Sequence, residues 1–156
     1  MSYKEINMNE KKVIGIKIRT TNKGGQSIKD QSEFWQKIFN ENLIEKIPNK
    51  INPDEILGVY YDFESDFMGE YTFLIGFEVN NFENIPDNMT SIIIPESKFA
   101  VFTNNKRINI AEKIGSLWQE IWNTKIDRAY TGEYEIYKLS TMNSDNPVVD
   151  IYVSIK

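Results

Sequence analysis

The chain carries one helical phrase twice. Phe34-Trp35-Gln36-Lys37-Ile38-Phe39 and Leu117-Trp118-Gln119-Glu120-Ile121-Trp122 share a Trp-Gln pair and place apolar residues at the same offsets. A phrase recurring within the same order of elements marks an internal repeat. Before the first copy, Ile14, Ile16 and Ile18 fall at every second position, which predicts a strand with one buried face and with Lys17 and Arg19 toward water. Asn22-Lys23-Gly24-Gly25-Gln26 then reads as a turn. The spacing of Phe34/Ile38 and Trp35/Phe39/Leu43 predicts a helix over about 30–47, stopped by Pro48.

Two strand-like runs follow, 56–63 and 71–79, joined by Glu64 to Glu70, a length that suits a hairpin with a longer loop. Asn80 to Asn88, with Pro86, reads as a linker, and beyond it the order recurs. Strand patterns cover 91–95 and 98–103, and a helix is expected over 110–123, with Asn109 as its cap and Glu112 three residues on. Strands at 133–139 and 148–155 complete the set. The expectation is an α+β fold: a pseudo-twofold duplication of a strand-helix-strand-strand unit, with antiparallel sheets and two main helices around a central cleft. It would form a single domain over 1–156, with halves of about 1–83 and 84–156. A seam between repeated halves is a natural place for a ligand pocket.

Composition narrows the chemistry. The chain has no histidine and no cysteine, so a Ser-His-Asp triad, a cysteine nucleophile, a Cys/His zinc site and the usual haem ligands are all excluded. No metal and no cofactor is expected, and any reaction must use carboxylates, tyrosines, lysines or hydroxyls. Asp62, Glu64 and Asp66 alternate without EF-hand spacing and read as a solvated loop. Lys23-Gly24-Gly25-Gln26-Ser27 lacks the Gly-Lys-Ser/Thr ending of a phosphate loop. Aromatic residues make up 13% of the chain, more than a core of this size requires, so some are available for a site.

Between Lys50 and Lys98 there is no basic residue, while Asp54, Glu55, Asp62, Glu64, Asp66, Glu70, Glu78, Glu83, Asp87 and Glu96 all fall there. Such a segment repels phosphate backbones, which argues against direct nucleic-acid binding. It reads as a solubilising face, or as a surface that attracts cationic small molecules or a basic protein partner. No apolar run approaches the roughly 20 residues of a membrane span, and the N-terminus lacks the basic and apolar regions of a signal peptide. A cytoplasmic protein with no membrane association is expected, as monomer or homodimer.

Several short segments, in order, resemble the GyrI-like family, also called the bacterial transcription-activator effector-binding domain. They are Val13-Ile14-Gly15, Phe34-Trp35, Gly58-Val59-Tyr60, Gly76-Phe77-Glu78-Val79, Phe99-Ala100-Val101-Phe102, Leu117-Trp118 with Trp122, and Tyr134-Glu135-Ile136-Tyr137. The chain departs from the family after Phe102, where Thr103-Asn104-Asn105-Lys106-Arg107 replaces a glycine-containing turn. The resemblance implies a stand-alone member with no helix-turn-helix module before a first strand at about Val13. It also implies that Glu135 is similar to a glutamate at the pocket floor that faces cationic ligands.

Strand alternation puts Tyr137 on the same face as Glu135, and matching the halves brings Val59 and Tyr61 to the corresponding face. Phe77, Trp118 and Trp122 would complete an aromatic box, although each could equally be core packing, as could Trp35. The implied function is that of a small-molecule effector-binding protein for lipophilic cations, acting in sensing, sequestration or transcription regulation. Two alternatives stand beside it. One is a hydrolase of small electrophilic compounds with Glu135 as catalytic base and a tyrosine assisting. The other is a gyrase-inhibitor-like module whose acidic segment docks on a basic protein.

Overall fold

The computed structural model describes residues 3–65, 69–103 and 106–156. Its strands are β1 (Lys4–Met8), β2 (Lys11–Thr21), β3 (Glu55–Tyr61), β4 (Glu70–Val79), β5 (Thr90–Ile94), β6 (Ser97–Thr103), β7 (Glu133–Lys138) and β8 (Val149–Ile155). Its helices are α1 (Gln26–Asn40) and α2 (Ile110–Asn123). The strands form one eight-stranded antiparallel sheet in the order β1-β6-β8-β7-β3-β4-β2-β5, so the two halves share a continuous sheet. The α+β architecture with two main helices is the one the repeat predicts.

The connections show how the halves interlock. β1 lies at one end of the sheet order and β2 next to the other end, yet only Asn9 and Glu10 separate them. Met8 and Lys11 can be no more than about 11 Å apart at the Cα atoms, so the sheet must coil until its ends approach each other. Pro95 and Glu96 make the matching connection between β5 and β6. Lys4 pairs with Val101 and Thr90 with Gly15, so each half sends its edge strand to the other half's sheet at an equivalent register. β1 has no counterpart among the expected strands. Four of its five residues are exposed, so it carries no apolar alternation to be read.

The two sheet faces bury different cores. Phe34 and Ile38 of α1 and Leu117 and Ile121 of α2 pack with Ile14, Phe73, Ile75, Phe102 and Ile151. The opposite face buries Val13, Leu57, Val59, Leu74, Ile94, Phe99 and Tyr134. Helix α1 starts and ends earlier than its apolar spacing suggests. Gly24 and Gly25 adopt left-handed φ values of 63° and 74° immediately before it, and a left-handed Asn42 separates it from a 3-10 turn at Leu43–Lys46. At α2 the Asn109 side chain accepts the Glu112 amide at 2.9 Å, as the capping pattern requires.

The acidic stretch draws its counter-charges from elsewhere in the chain. Lys11 meets Glu78 at 3.2 Å, Arg19 lies 3.5 Å from both Asp62 and Glu70, and Lys138 meets Glu55 at 3.3 Å. Asp54 accepts the Ser140 amide and hydroxyl. The segment is therefore partly neutralised in space, although it is not in sequence. Asp66 and the Asn104-Asn105 departure lie outside the described residues. Among the described residues, no helix is long and apolar enough to cross a membrane.

Lys113, only 1% exposed, anchors α2. Its ammonium donates to Asn146 Oδ1 at 2.7 Å and to the Pro147 carbonyl at 2.6 Å, tying the helix to the β7–β8 connection. Replacing it leaves that carbonyl without its donor. Lys113→Met is expected to lose about 1–3 kcal/mol in urea unfolding, as a shift of midpoint with unchanged slope.

Candidate functional site

Strand β7 presents Glu133, Glu135 and Tyr137 on the helix-covered face. Its register with β3 sets Gly58 opposite Glu135 and Tyr60 opposite Glu133. A Cβ at Gly58 would stand 3.2 Å from Glu135 Oε1 and 3.1 Å from the Phe73 ring, a tight fit that glycine relieves. The bare backbone of one strand thus makes room for the carboxylate of the next.

Glu135 is 1% exposed. Tyr60 donates its hydroxyl to Oε2 at 3.0 Å, Trp118 donates Nε1–H to the same oxygen at 2.7 Å, and Tyr137 donates its hydroxyl to Oε1 at 2.5 Å. All three donors are neutral. Burial pushes the carboxyl above the ordinary range, and the hydrogen bonds from Tyr137, Trp118 and Tyr60 pull it back only in part. Burial first, and then the nearby carboxylate, hold both tyrosines well above the usual phenol range, so they remain donors. Because its folded-state pKa is raised, Glu135 opposes folding at pH values above that pKa. The penalty is relieved as pH falls toward the ordinary carboxylate range.

The pseudo-twofold runs through this cluster. Trp118 meets Tyr60 edge-on at 5.4 Å and 72°, and Trp35 meets Tyr137 at 5.2 Å and 70°. Each tryptophan also packs against the aromatic residue four positions on, Trp122 in α2 and Phe39 in α1. Gly58-Val59-Tyr60 therefore matches Glu135-Ile136-Tyr137, and the glycine is the symmetry mate of the carboxylate.

A cavity of about 300 Å³ opens beside the cluster, bordered by Tyr60, Phe63, Tyr71, Trp118 and Trp122, with Asn22, Ser27 and Gln31 supplying polar groups from the start of α1. Arg128 and Glu133 form another part of its wall. Their ion pair is bidentate, Nη2 to Oε2 at 2.7 Å and Nε to Oε1 at 3.0 Å, and is almost wholly buried. The guanidinium also lies over the rings of Tyr130, at 4.5 Å, and Trp118, at 5.9 Å. Burial raises the Glu133 pKa, against the lowering effect of Arg128.

Of the residues expected at the site, Glu135, Tyr137 and Trp118 come together; Trp118 borders the cavity and Trp122 stands half-exposed at its mouth, whereas Glu135 and Tyr137 lie behind its lining. Tyr61 does not join them. The antiparallel register makes even-numbered β3 residues share a face with odd-numbered β7 residues, so Tyr61 points away with Val59, toward a different cavity that also borders Ile92 and Thr131. Phe77 faces the helices but lies within the core, opposite Ile14 and beneath the Lys50 ammonium, and is not among the residues that border the Glu135 cavity. Tyr60 was the residue overlooked. The aligned Gly-Val-Tyr and Glu-Ile-Tyr would have pointed to it, because the repeat maps Tyr60 onto Tyr137. Arg128 lies in an irregular segment, and no pattern in the sequence pairs it with Glu133.

The profile of the Cass2 family, integron-associated effector binding proteins, matches residues 6–155. The chain belongs to that family. This agrees with the resemblance to effector-binding domains carried by its short segments. The chain is 29% identical over 126 residues to YobU of Bacillus subtilis (strain 168), a proposed transcriptional regulator, with 79% of this chain and 78% of YobU covered. Its fold is shared by SAV2435, solved with tetraphenylphosphonium bound (TM-score 0.84, 20% identity, 100% of this chain and 94% of that one). It is also shared by an integron cassette protein of Vibrio cholerae (TM-score 0.76, 21% identity, 99% and 95%).

The geometry separates two adjacent tyrosines. Tyr60→Phe removes a donor from Glu135 and should raise the pH at which a carboxyl-¹³C NMR titration finds that group half-ionised. Tyr61→Phe, on the opposite sheet face, should leave the titration unchanged.

Proposed function

We propose that this member of the effector-binding family takes lipophilic organic cations into the cavity beside Glu135, and acts as a sensor or sequestering receptor in transcription regulation. One observation carries the reading: a fully buried carboxylate is held by three neutral donors, two of which, Tyr60 and Trp118, border a cavity wide enough for a small organic molecule. Such a group is poorly solvated. An apolar cation supplies the missing counter-charge without bringing tightly held water, and the ring faces attract it further. The ligand-bound state of SAV2435, a protein of the same fold, is in keeping with this assignment, and the name of YobU is in keeping with a regulatory role.

The hydrogen bonding also favours binding over turnover. Both oxygens of Glu135 already accept strong hydrogen bonds, which suits a fixed negative charge better than a base that must collect a proton.

Tetraphenylphosphonium should quench the tryptophan fluorescence of the wild-type protein, since Trp118 and Trp122 border the cavity. Glu135→Gln should bind it at least about tenfold more weakly, a loss of roughly 1.4 kcal/mol. Acidification should weaken wild-type binding as the raised Glu135 carboxyl takes up a proton in competition with the ligand, and the Gln variant should lack that slope. Unliganded Glu135→Gln should melt no lower than wild type at neutral pH, because it removes a charge whose burial opposes folding. Equal affinities in the two proteins would remove Glu135 from the role.

A further inference from the structure

Two buried acidic side chains stand at this cavity, Glu133 in its wall and Glu135 behind it, hydrogen-bonded to the wall residues Tyr60 and Trp118. Glu133 and Glu135 are two positions apart on β7, hence on one face and roughly 7 Å apart along the strand. Each is 1% exposed. Their partners differ in kind. Among the described residues, Glu135 receives only neutral donors, whereas Glu133 receives both prongs of the Arg128 guanidinium. Arg128 borders the cavity, and its side chain is 11% exposed. It rests on the ring of Trp118, the residue whose N–H holds Glu135. The planar fork engages both oxygens of Glu133, so the guanidinium cannot turn to Glu135 without stripping a buried charge of its partner.

We propose that Arg128 determines the charge class of the ligand: by neutralising Glu133 it leaves Glu135, just behind Tyr60 and Trp118, as the uncompensated carboxylate at the cavity, which then selects singly charged cations over doubly charged ones. The proposal rests on the reading of the Glu135 cavity as a cation site, and adds a rule for which cations enter. Without Arg128 the site would carry two negative charges and favour a dication. Without Glu133 it would carry Arg128 and Glu135 together, with no net charge to offer.

The test is a charge cycle, read by fluorescence titration with tetraphenylphosphonium as the monocation and an alkane bearing two triphenylphosphonium groups as the dication. Glu133→Gln leaves Glu135 untouched but exposes the ligand to an unmatched guanidinium, and should weaken monocation binding at least about tenfold. Adding the second change, in Arg128→Met/Glu133→Gln, should recover at least about tenfold over Glu133→Gln, because Glu135 is again the single charge at the cavity. A merely structural role for the pair predicts no recovery.

Arg128→Met alone should raise dication affinity relative to monocation affinity by at least about tenfold. Should a single variant fail to fold, Arg128→Lys serves in its place. It keeps the charge and loses the fork, and the monocation preference should stay within about threefold of wild type. Monocation binding that is unaltered in Glu133→Gln, a double variant no better than the single one, or a preference lost in Arg128→Lys overturns the proposal while the cation site stands. A wild-type protein that does not bind tetraphenylphosphonium overturns both.

Discussion

Burial of one carboxylate without a cationic partner is the constraint around which this structure is arranged. A bare glutamate in an apolar interior costs several kcal/mol, and the usual remedies are an ion pair or protonation. Here the remedy is three neutral donors converging from three elements: Tyr60 from β3, Tyr137 from β7 itself and Trp118 from α2. That convergence requires the β3–β7 register that sets Gly58 opposite Glu135, and a helix α2 fixed well enough to aim an indole N–H. The buried Lys113 clamp and the Asn109 cap both serve that helix.

The site lies where the duplication is broken. The tyrosine–tryptophan pairs recur in both halves at nearly equal distances and angles, and each tryptophan packs on the next aromatic of its helix at a similar distance, so the scaffold is close to symmetric around the axis. Glycine against glutamate is the difference that matters. A side chain at position 58 would crowd Glu135, and glycine at both positions would leave a neutral aromatic cluster without a buried carboxylate. A repeat thus supplies the aromatic walls twice over, and one difference at the seam supplies the charge.

Much of this was legible from the residues. The shared Trp-Gln phrase located both helices, alternation located the central strands, and the Tyr-Glu-Ile-Tyr segment located the carboxylate. The failures have physical causes. β1 is an exposed edge strand without a buried stripe, so no period betrays it. Tyr61 was preferred to Tyr60 because alternation within a strand says which residues share a face but not which face meets the neighbouring strand; only pairing register decides that. The acidic stretch looked like a continuous negative surface because its cations, Lys11, Arg19 and Lys138, lie outside it in sequence.

By itself, then, the sequence determined the kind of chemistry and the outline of the scaffold. The lack of histidine and cysteine excluded whole classes of chemistry, the doubled order of elements implied a seam, and the resemblance to effector-binding domains implied a carboxylate among aromatic side chains there. Tertiary structure decided the charge of that site. Which buried glutamate is charge-paired depends on which distant side chain reaches it, and among the described residues Arg128 reaches Glu133 while neutral donors reach Glu135. Local patterns cannot express that difference, because it arises from strand pairing and from the path of an irregular segment rather than from any period along the chain.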